Sequence, residues 1–422
     1  MGWVKWLTMN ADRTLSETKL LFLLSRVSLD DGVMAEAQAL IDAGADWDSL
    51  TSLAIKHGTI NFIYKNLLKL RAPIEMESKN DFIPACPESV LKTRGMDFTG
   101  MTDSIPQNVM EKFKTIYYQT LRSNILQAAE LERILEGMEQ QGLEAIVLKG
   151  PITSEKIFGD LGIYPSSDSD ILVKVEDIDQ TKAFLETRGY RLNDKSFSEH
   201  KDFFIKELYH ISLSNAQFTI EPHWNLFYRN FTTPPEFWWE ESISISSNGR
   251  NYRFLSPEKN ILYTAFRLFS KNYEQLRYLV MVAEIVRHYK EEVDWDKLFL
   301  NAKRFHFVNV LKVTLNLCRE LLGTPVDERF CEIKGVRARI LYQFVRSMVL
   351  NGSDFNPVRK ILLSFLRDDL SGACKVLLRR LFPSMGEIVS RYRLPAGSNR
   401  ALLYYFLNPI LVLSRRHQQL KY

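Results

Sequence analysis

The chain has 422 residues, 45% hydrophobic and 25% charged, proportions that exclude a disordered, fibrous or disulfide-dense protein and fit an ordinary globular one. Its net charge of +4 does not mark the whole chain as a nucleic-acid binder. The charge is uneven, however: from Arg359 onward there are 12 Lys or Arg against 3 Asp or Glu, which leaves the first 358 residues at −5.

No stretch reaches the ~18 consecutive apolar residues of a membrane-spanning helix. The opening "MGWVKWLTMNADRT" lacks the apolar core and small-residue cleavage site of a secretory signal. The cysteines, Cys86, Cys318, Cys331 and Cys374, are scattered, with no CxxC or metal spacing. A reducing, cytoplasmic setting is expected, with cysteine used as a small apolar residue.

Residues 14–70 read as helices. "ETKLLFLLSRV" is apolar-rich, "GVMAEAQALIDAG" stops at Gly44, and "DWDSLTSLAIKHG" has helical spacing at Leu50, Leu53 and Ala54 with Asp48 placed as its N-cap. Residues 71–106 hold Pro73, Pro84, Pro87 and Pro106 with few periodic apolar positions, so a loop-rich insert is expected there. A long helix follows over about 108–141. The N-terminal helical region is thus assigned to 1–141.

The texture then changes. "EAIVLKG" (144–150) is a short apolar run ending in glycine, a buried strand. Pro151 suits the first turn of a helix. "SDSDILVKV" is a second strand, and "EDIDQTKAFLETRGY" an amphipathic helix. Two strand-like runs around Ser214 and Asn215 read as a hairpin. Together these make a small α+β domain over 142–250. From Ser256–Pro257, a cap followed by proline, the chain returns to helices over 251–422. There "DWDKLFLNA" echoes "DWDSLTSLA", Asp294, Trp295, Asp296, Leu298 and Ala302 matching Asp46, Trp47, Asp48, Leu50 and Ala54. The echo reads as a shared helix start rather than a repeat.

The chemistry concentrates in "YPSSDSDILVKVED" (164–177). With a side-chain period of two, Asp168 and Asp170 share one face of a strand. Two adjacent carboxylates need a cation or a proton to neutralise them, and hard oxygen ligands near phosphates are how proteins hold Mg²⁺. Alone, the pair reads first as solvated turn aspartates, with metal binding as the alternative. Upstream, "IVLKG" brings a strand into a glycine at a helix start, with Lys149 beside it, a shape that suits a phosphate. Downstream, "FTIEPHWNLF" offers a third carboxylate, Glu221, with His223 on the same face. His223 reads equally as a hydrogen-bonded strand histidine, and Trp224 as core. "PPEFWWEE" (234–241) reads as packing, with covering of a base or acceptor as the alternative.

The order strand-Gly, DxD, later carboxylate resembles the DNA polymerase β-like nucleotidyltransferase superfamily. "VLKG" (147–150), "YPSSDSDILV" (164–173) and "EPHW" (221–224) more narrowly resemble a bacterial family of uncharacterised nucleotidyltransferases. The resemblance implies a small mixed-sheet nucleotidyltransferase domain between helical regions. It also implies transfer of a nucleoside monophosphate from an NTP to an acceptor hydroxyl, with pyrophosphate released. Asp168, Asp170 and Glu221 would be both the catalytic and the metal-holding residues, for Mg²⁺ or alternatively Mn²⁺. Lys149, Gly150 and Ser167 would bind the nucleotide. The acceptor is expected to be a small molecule, protein or peptide rather than nucleic acid, because the positive charge sits in the tail. The chain departs from the family pattern at Tyr164, where an arginine is usual, at Ser169, and at Pro151 in place of the superfamily's serine. A degenerate, non-catalytic fold serving as a nucleotide-binding or protein scaffold is the competing expectation.

The C-terminal run Ala401–Leu413 is apolar except for Asn408 and Pro409, with Arg415, Arg416 and Lys421 after it. Proline should break or kink a helix there. The run is too short to span a bilayer. Packing onto the protein, peripheral contact with an anionic membrane, or pairing with a second subunit are its three open fates.

Overall fold

The computed structural model describes residues 16–71, 104–194, 197, 201, 205, 208–227, 231–247, 250–351, 357–392, 394 and 398–413. Of the loop-rich insert expected at 71–106, only residues 71 and 104–106 are described, and the basic tail after Leu413 lies outside the described residues. The chain divides into two compact units. One is Met1–Leu121 with Gly162–Tyr164, the other Arg122–Leu161 with Pro165–Tyr422.

The first unit is helical: α1 (16–24), α2 (Asp31–Asp42), α3 (Trp47–His57), α4 (Ile60–Arg71) and the first part of α5 (Gln107–Gln140). The N-cap of α3 is Asp46, not Asp48. Asp46 is extended (φ −78°, ψ 97°), so its carboxylate reaches the N–H groups of Asp48 and Ser49 at 3.1 and 3.0 Å. Asp48 is already helical and adds negative charge at the positive end of the helix dipole. Gly58 closes the helix in the left-handed conformation (φ 67°). Tyr164, where the family pattern has arginine, is 4% exposed and packs edge-on to Phe62 in this unit's core.

The second unit holds a mixed sheet of order β1-β2-β5-β4-β3: β1 (Ile146–Lys149), β2 (Ser169–Leu172), β3 (Arg191–Leu192), β4 (Leu213–Ser214) and β5 (Thr219–His223). β2 runs antiparallel to β1 and parallel to β5, and β4 is antiparallel to both β3 and β5. This is the small mixed sheet that the resemblance implies. Pro151 opens α6 (Pro151–Phe158) at its first position, where no amide hydrogen is needed. α7 (Ile178–Thr187) carries the chain across toward β3. The β4–β5 turn is fixed by Asn215, whose side-chain oxygen accepts the N–H groups of Gln217 and Phe218, both at 2.8 Å. One face of the sheet buries Ile171, Val173, Leu213, Ile220 and Trp224 against Leu131, Ile134 and Met138 of α5.

Beyond the sheet, α8 (Glu236–Trp239) is followed by the β6 (Ile243–Ser247) and β7 (Arg250–Phe254) hairpin, then by α9 (Pro257–Ser270), α10 (Leu276–His288), α11 (Trp295–Arg304) and α12 (Val308–Leu322). Phe227, Phe231, Phe237, Phe266 and Phe307 build one aromatic core, with Phe227 4.6 Å from Phe266 and 5.0 Å from Phe307. Trp238 is fully buried, and its indole N–H donates to Asn225 and Thr233. The aromatic run at 234–241 therefore packs the fold.

The likeness between the "DWD" segments extends further than a helix start. Asp294 caps α11 with φ −80° and ψ 98°, nearly the angles of Asp46. The backbone N–H of each capping aspartate donates to a buried glutamate: Asp46 to Glu17 at 3.0 Å, Asp294 to Glu258 at 2.9 Å. After the helices, Thr59 N–H reaches Ala54 O and Phe307 N–H reaches Ala302 O, at 2.9 and 2.8 Å. The same four-helix order, α1–α4 and α9–α12, thus uses the same three local devices.

The rest of the chain is helical: α13 (Glu328–Cys331), α14 (Val336–Asn351), α15 (Pro357–Ser364), α16 (Leu370–Leu381), α17 (Met385–Arg391) and α18 (Arg400–Leu413). Of the break or kink expected at Pro409, the break does not occur: α18 runs through that residue. Asn408, fully buried beside it, holds the turn: its oxygen accepts from Arg391 and Tyr392 and its amide donates to Leu381 O. Ala401 and Val412 face inward, whereas Leu402, Leu403, Phe406 and Ile410 are 56–70% exposed. Among the described residues no helix is long and apolar enough to cross a membrane.

Candidate functional site

Lys149 ends β1, and an irregularity between Val147 and Lys149 shifts the register so that Lys149 pairs with Asp170 on β2. Its ammonium forms an ion pair with Asp168 and lies 3.9 Å from Asp170 Oδ1. Ser167, exposed, donates its hydroxyl to Asp168 at 3.2 Å. Part of the positive charge that the two adjacent aspartates require thus comes from a lysine of the chain itself. Gly150 follows with φ 125° and ψ −171°, a region open in practice to glycine alone. A Cβ there would meet Ser169 Oγ at 3.0 Å. Glycine is what lets the chain turn from β1 into α6 against β2.

The third carboxylate arrives through strand register. β2 and β5 are parallel, with Asp170 beside Glu221 and Leu172 beside His223. Parallel neighbours in register point to the same face, so Glu221 lies next to Asp170, and His223, two residues on, shares that face. His223 Nε2 is 3.7 Å from Asp170 Oδ2 and 4.0 Å from Glu221 Oε2. His210 bridges to His223 across the hairpin, stacks on its ring at 4.9 Å and 18°, and places Nε2 3.8 Å from Glu221. From α9, Tyr263 donates its hydroxyl to Asp170 Oδ2 at 3.4 Å, and an Arg267 guanidinium nitrogen stands 3.9 Å from the same oxygen.

Burial sets the electrostatics. It pushes Glu221 up to about 7, with the Asp170 and Asp168 charges adding to the effect. It lowers His210, and it holds His223 well below the ordinary histidine range, helped by His210, Arg267 and Lys149. Asp170 is 3% and His223 4% exposed, yet Asp170 Oδ1 and both His223 ring nitrogens have no hydrogen-bond partner. Buried polar atoms left unpaired are costly. One ligand atom each from Asp170, Glu221 and His223 lies within 4.8 Å of the others. This donor set fits a divalent cation.

The sequence-predicted residues fall into two groups. Asp170 and Glu221 come together with His223. Asp168, Ser167 and Lys149 form an adjoining ion-paired cluster at the start of β2, with Gly150 next to it. Lys174, which continues the aspartate face by period two, pairs instead with Glu144. Sequence reasoning missed His210, Tyr263 and Arg267. His210 was within reach: extending the hairpin register from Leu213 opposite Ile220 puts His210 opposite His223. Tyr263 and Arg267 carried a weaker signal, a phenol and a cation four residues apart on an otherwise buried helix.

No curated protein and no solved structure matches the chain. A family model does, that of an uncharacterised nucleotidyltransferase, and it spans residues 43–323, which include both strands of the site. With two thirds of its length matched by that model, the chain belongs to this family of uncharacterised nucleotidyltransferases.

Proposed function

We propose that the chain transfers a nucleoside monophosphate from an NTP to an acceptor hydroxyl, with a divalent cation held by the carboxylates of Asp170 and Glu221. The observation that carries this reading is the parallel β2–β5 register, which sets Glu221 beside Asp170, with one ligand atom each of Asp170, Glu221 and His223 within 4.8 Å of the others. A bound cation supplies positive charge to the acceptor oxygen and the triphosphate. Glu221, whose side chain is 22% exposed against 5% for Asp170, is the more accessible carboxylate and takes the acceptor's proton. The acceptor oxygen then bonds to the α-phosphorus as the bond to pyrophosphate breaks. Lys149, Ser167 and Gly150 lie on the triphosphate side. Lys149 offers an ammonium and Gly150 a backbone with no side chain in the way. Asp168 holds Lys149 in place until the phosphates arrive.

Incubating the chain with each of four NTPs labelled at the α-phosphate, Mg²⁺ or Mn²⁺, and a fractionated cell extract as acceptor source tests this. Label should move to an acceptor and pyrophosphate should appear, and Asp170→Asn should abolish both. Small molecules, proteins and peptides are the favoured acceptor classes.

One set of observations favours a non-catalytic nucleotide-binding or scaffold role. Lys149 already compensates Asp168, Tyr164 is buried in the first unit instead of providing a cation, and Pro151 replaces the superfamily's serine. Under that reading no NTP yields pyrophosphate with any extract fraction; a melting temperature that still rises with an NTP and a metal marks nucleotide binding without transfer, and one that does not respond marks a scaffold.

We also propose peripheral membrane contact through α18. Leu402, Leu403, Phe406 and Ile410 lie on one exposed helical face. Residues 388–422 hold six Lys or Arg and no Asp or Glu, the composition that suits an anionic lipid surface.

A further inference from the structure

We propose that His223 is a direct imidazole ligand of the bound cation, and that it makes the site select a first-row transition ion, Mn²⁺ or Co²⁺, over Mg²⁺. The inference rests on the metal-dependent reading above and deepens it.

A site of carboxylates alone suits Mg²⁺, which takes oxygen ligands and sheds water reluctantly. Imidazole shifts the preference toward transition ions, which bind nitrogen well. Three observations place His223 in the coordinating set. Its Nε2 faces both carboxylates, 3.7 Å from Asp170 and 4.0 Å from Glu221. These separations are too long for hydrogen bonds but short enough for groups that share one ion. Next, neither ring nitrogen has a hydrogen-bond partner although the residue is 4% exposed. A histidine serving only the strand would have found a carbonyl or a hydroxyl. Finally, two consecutive rings of the facing segment pack against it. His210 stacks at 4.9 Å, and Tyr209 lies 5.5 Å away. A ligand held in one orientation loses little freedom on binding.

Lys149 and Arg267 sharpen the choice. Both lie 3.9 Å from Asp170, one at each oxygen. A cation bound there shares Asp170 with two positive side chains, so a ligand field that includes a neutral nitrogen favours the ion that gains most from nitrogen.

The test uses the full chain stripped of metal with chelator. Mn²⁺ and Mg²⁺ affinities are measured by calorimetry, and pulsed electron paramagnetic resonance of bound Mn²⁺ reads directly coordinated nitrogen. Mn²⁺ should bind at least about tenfold more tightly than Mg²⁺ and show ¹⁴N coupling. His223→Gln should weaken Mn²⁺ by at least about tenfold, change Mg²⁺ by less than about threefold, and remove the nitrogen signal. The nitrogen signal of the unaltered chain decides the matter even if His223→Gln folds poorly. Bound Mn²⁺ without nitrogen coupling overturns the inference, as does a His223→Gln chain that keeps the coupling or the Mn²⁺-to-Mg²⁺ ratio. The two readings fail separately. Oxygen-only metal binding with transfer activity leaves the proposed function standing, and nitrogen-ligated metal without nucleotidyl transfer leaves this inference standing. No binding of either metal removes both.

Discussion

Helix α6 begins and ends on a glycine with positive φ, and the two should respond very differently to alanine. Gly150 has φ 125° and ψ −171°, a conformation that costs a residue with a side chain about 1–3 kcal/mol. A Cβ there would also lie 3.0 Å from Ser169 Oγ and 3.5 Å from Ser169 Cα. Ser169 is fully buried and accepts a hydrogen bond from Gln127 at 3.2 Å. Turning its hydroxyl aside breaks that bond, which adds roughly 0.5–1.5 kcal/mol. Against these stands a gain of about 0.4–1 kcal/mol from the stiffer unfolded chain. The net expectation for Gly150→Ala is a loss of about 2–3 kcal/mol. Gly159 sits in the ordinary left-handed region (φ 65°, ψ 14°) with nothing within 4 Å of a built Cβ. Alanine there costs about 1–2 kcal/mol and recovers the same unfolded-state gain, for a net loss near 1 kcal/mol or less. Urea unfolding of both variants, followed by tryptophan fluorescence, gives the comparison. Gly150→Ala should lie about 1–2 kcal/mol below Gly159→Ala with an unchanged denaturant slope. Equal losses, or a milder effect at Gly150, would falsify the view that the β1–α6 turn demands glycine.

Other expectations follow from single residues. Adding an NTP with Mn²⁺ should raise the melting temperature by mass action, and Asp170→Asn should remove most of the metal-dependent part; an unchanged shift in the variant removes Asp170 from the metal site. His57 is 2% exposed, and burial, with Lys56 helping, lowers it to about 4. It stays neutral in the fold where the unfolded chain takes up a proton, so stability should fall as pH drops from about 6.5 to about 4, by about 3 kcal/mol. His57→Leu should flatten that dependence in urea titrations, and parallel curves for the two chains would contradict it. Phe227→Ala, which empties the centre of the aromatic core, should cost about 3–5 kcal/mol in the same assay; a loss below 1 kcal/mol means the core can collapse around the gap. Phe406→Asp, on the exposed face of α18, should abolish flotation with anionic liposomes at low salt while leaving the melt unchanged, and flotation that persists argues against the lipid contact.

What could be read in the sequence was local. The period of two put Asp168 and Asp170 on one face, and the apolar run into Gly150–Pro151 marked a strand entering a helix, because each signal needs only neighbours in the chain. The pairing of Asp170 with Glu221 needed more. Their strands are adjacent only after the chain has passed through α7, β3 and β4, and no periodicity encodes which strands become neighbours. Tyr263 and Arg267 reach the site from a helix about 95 residues further on, and their pattern alone reads as an ordinary helix. Lys149 was read as a phosphate ligand, but its ion pair with Asp168 depended on a register shift in β1 that the sequence does not announce. The misplaced cap at Asp48 has a simpler cause: two aspartates flank Trp47, and only the backbone angles choose between them. Pro409 was expected to break or kink α18; the helix is unbroken, and buried Asn408 ties that turn to Arg391, Tyr392 and Leu381 through hydrogen bonds that sequence spacing cannot reveal.

A crystal structure of the full chain with a non-hydrolysable NTP and Mn²⁺, with data collected at the manganese absorption edge, tests the site without knowledge of the acceptor. The account predicts an anomalous peak at bonding distance, about 2.0–2.3 Å, from Asp170, Glu221 and His223. It also predicts that Lys149 swings from Asp168 to the triphosphate, with the phosphates against Gly150. Manganese bound elsewhere, or a nucleotide seated away from Lys149 and Gly150 with the three ligands unmoved, would contradict it.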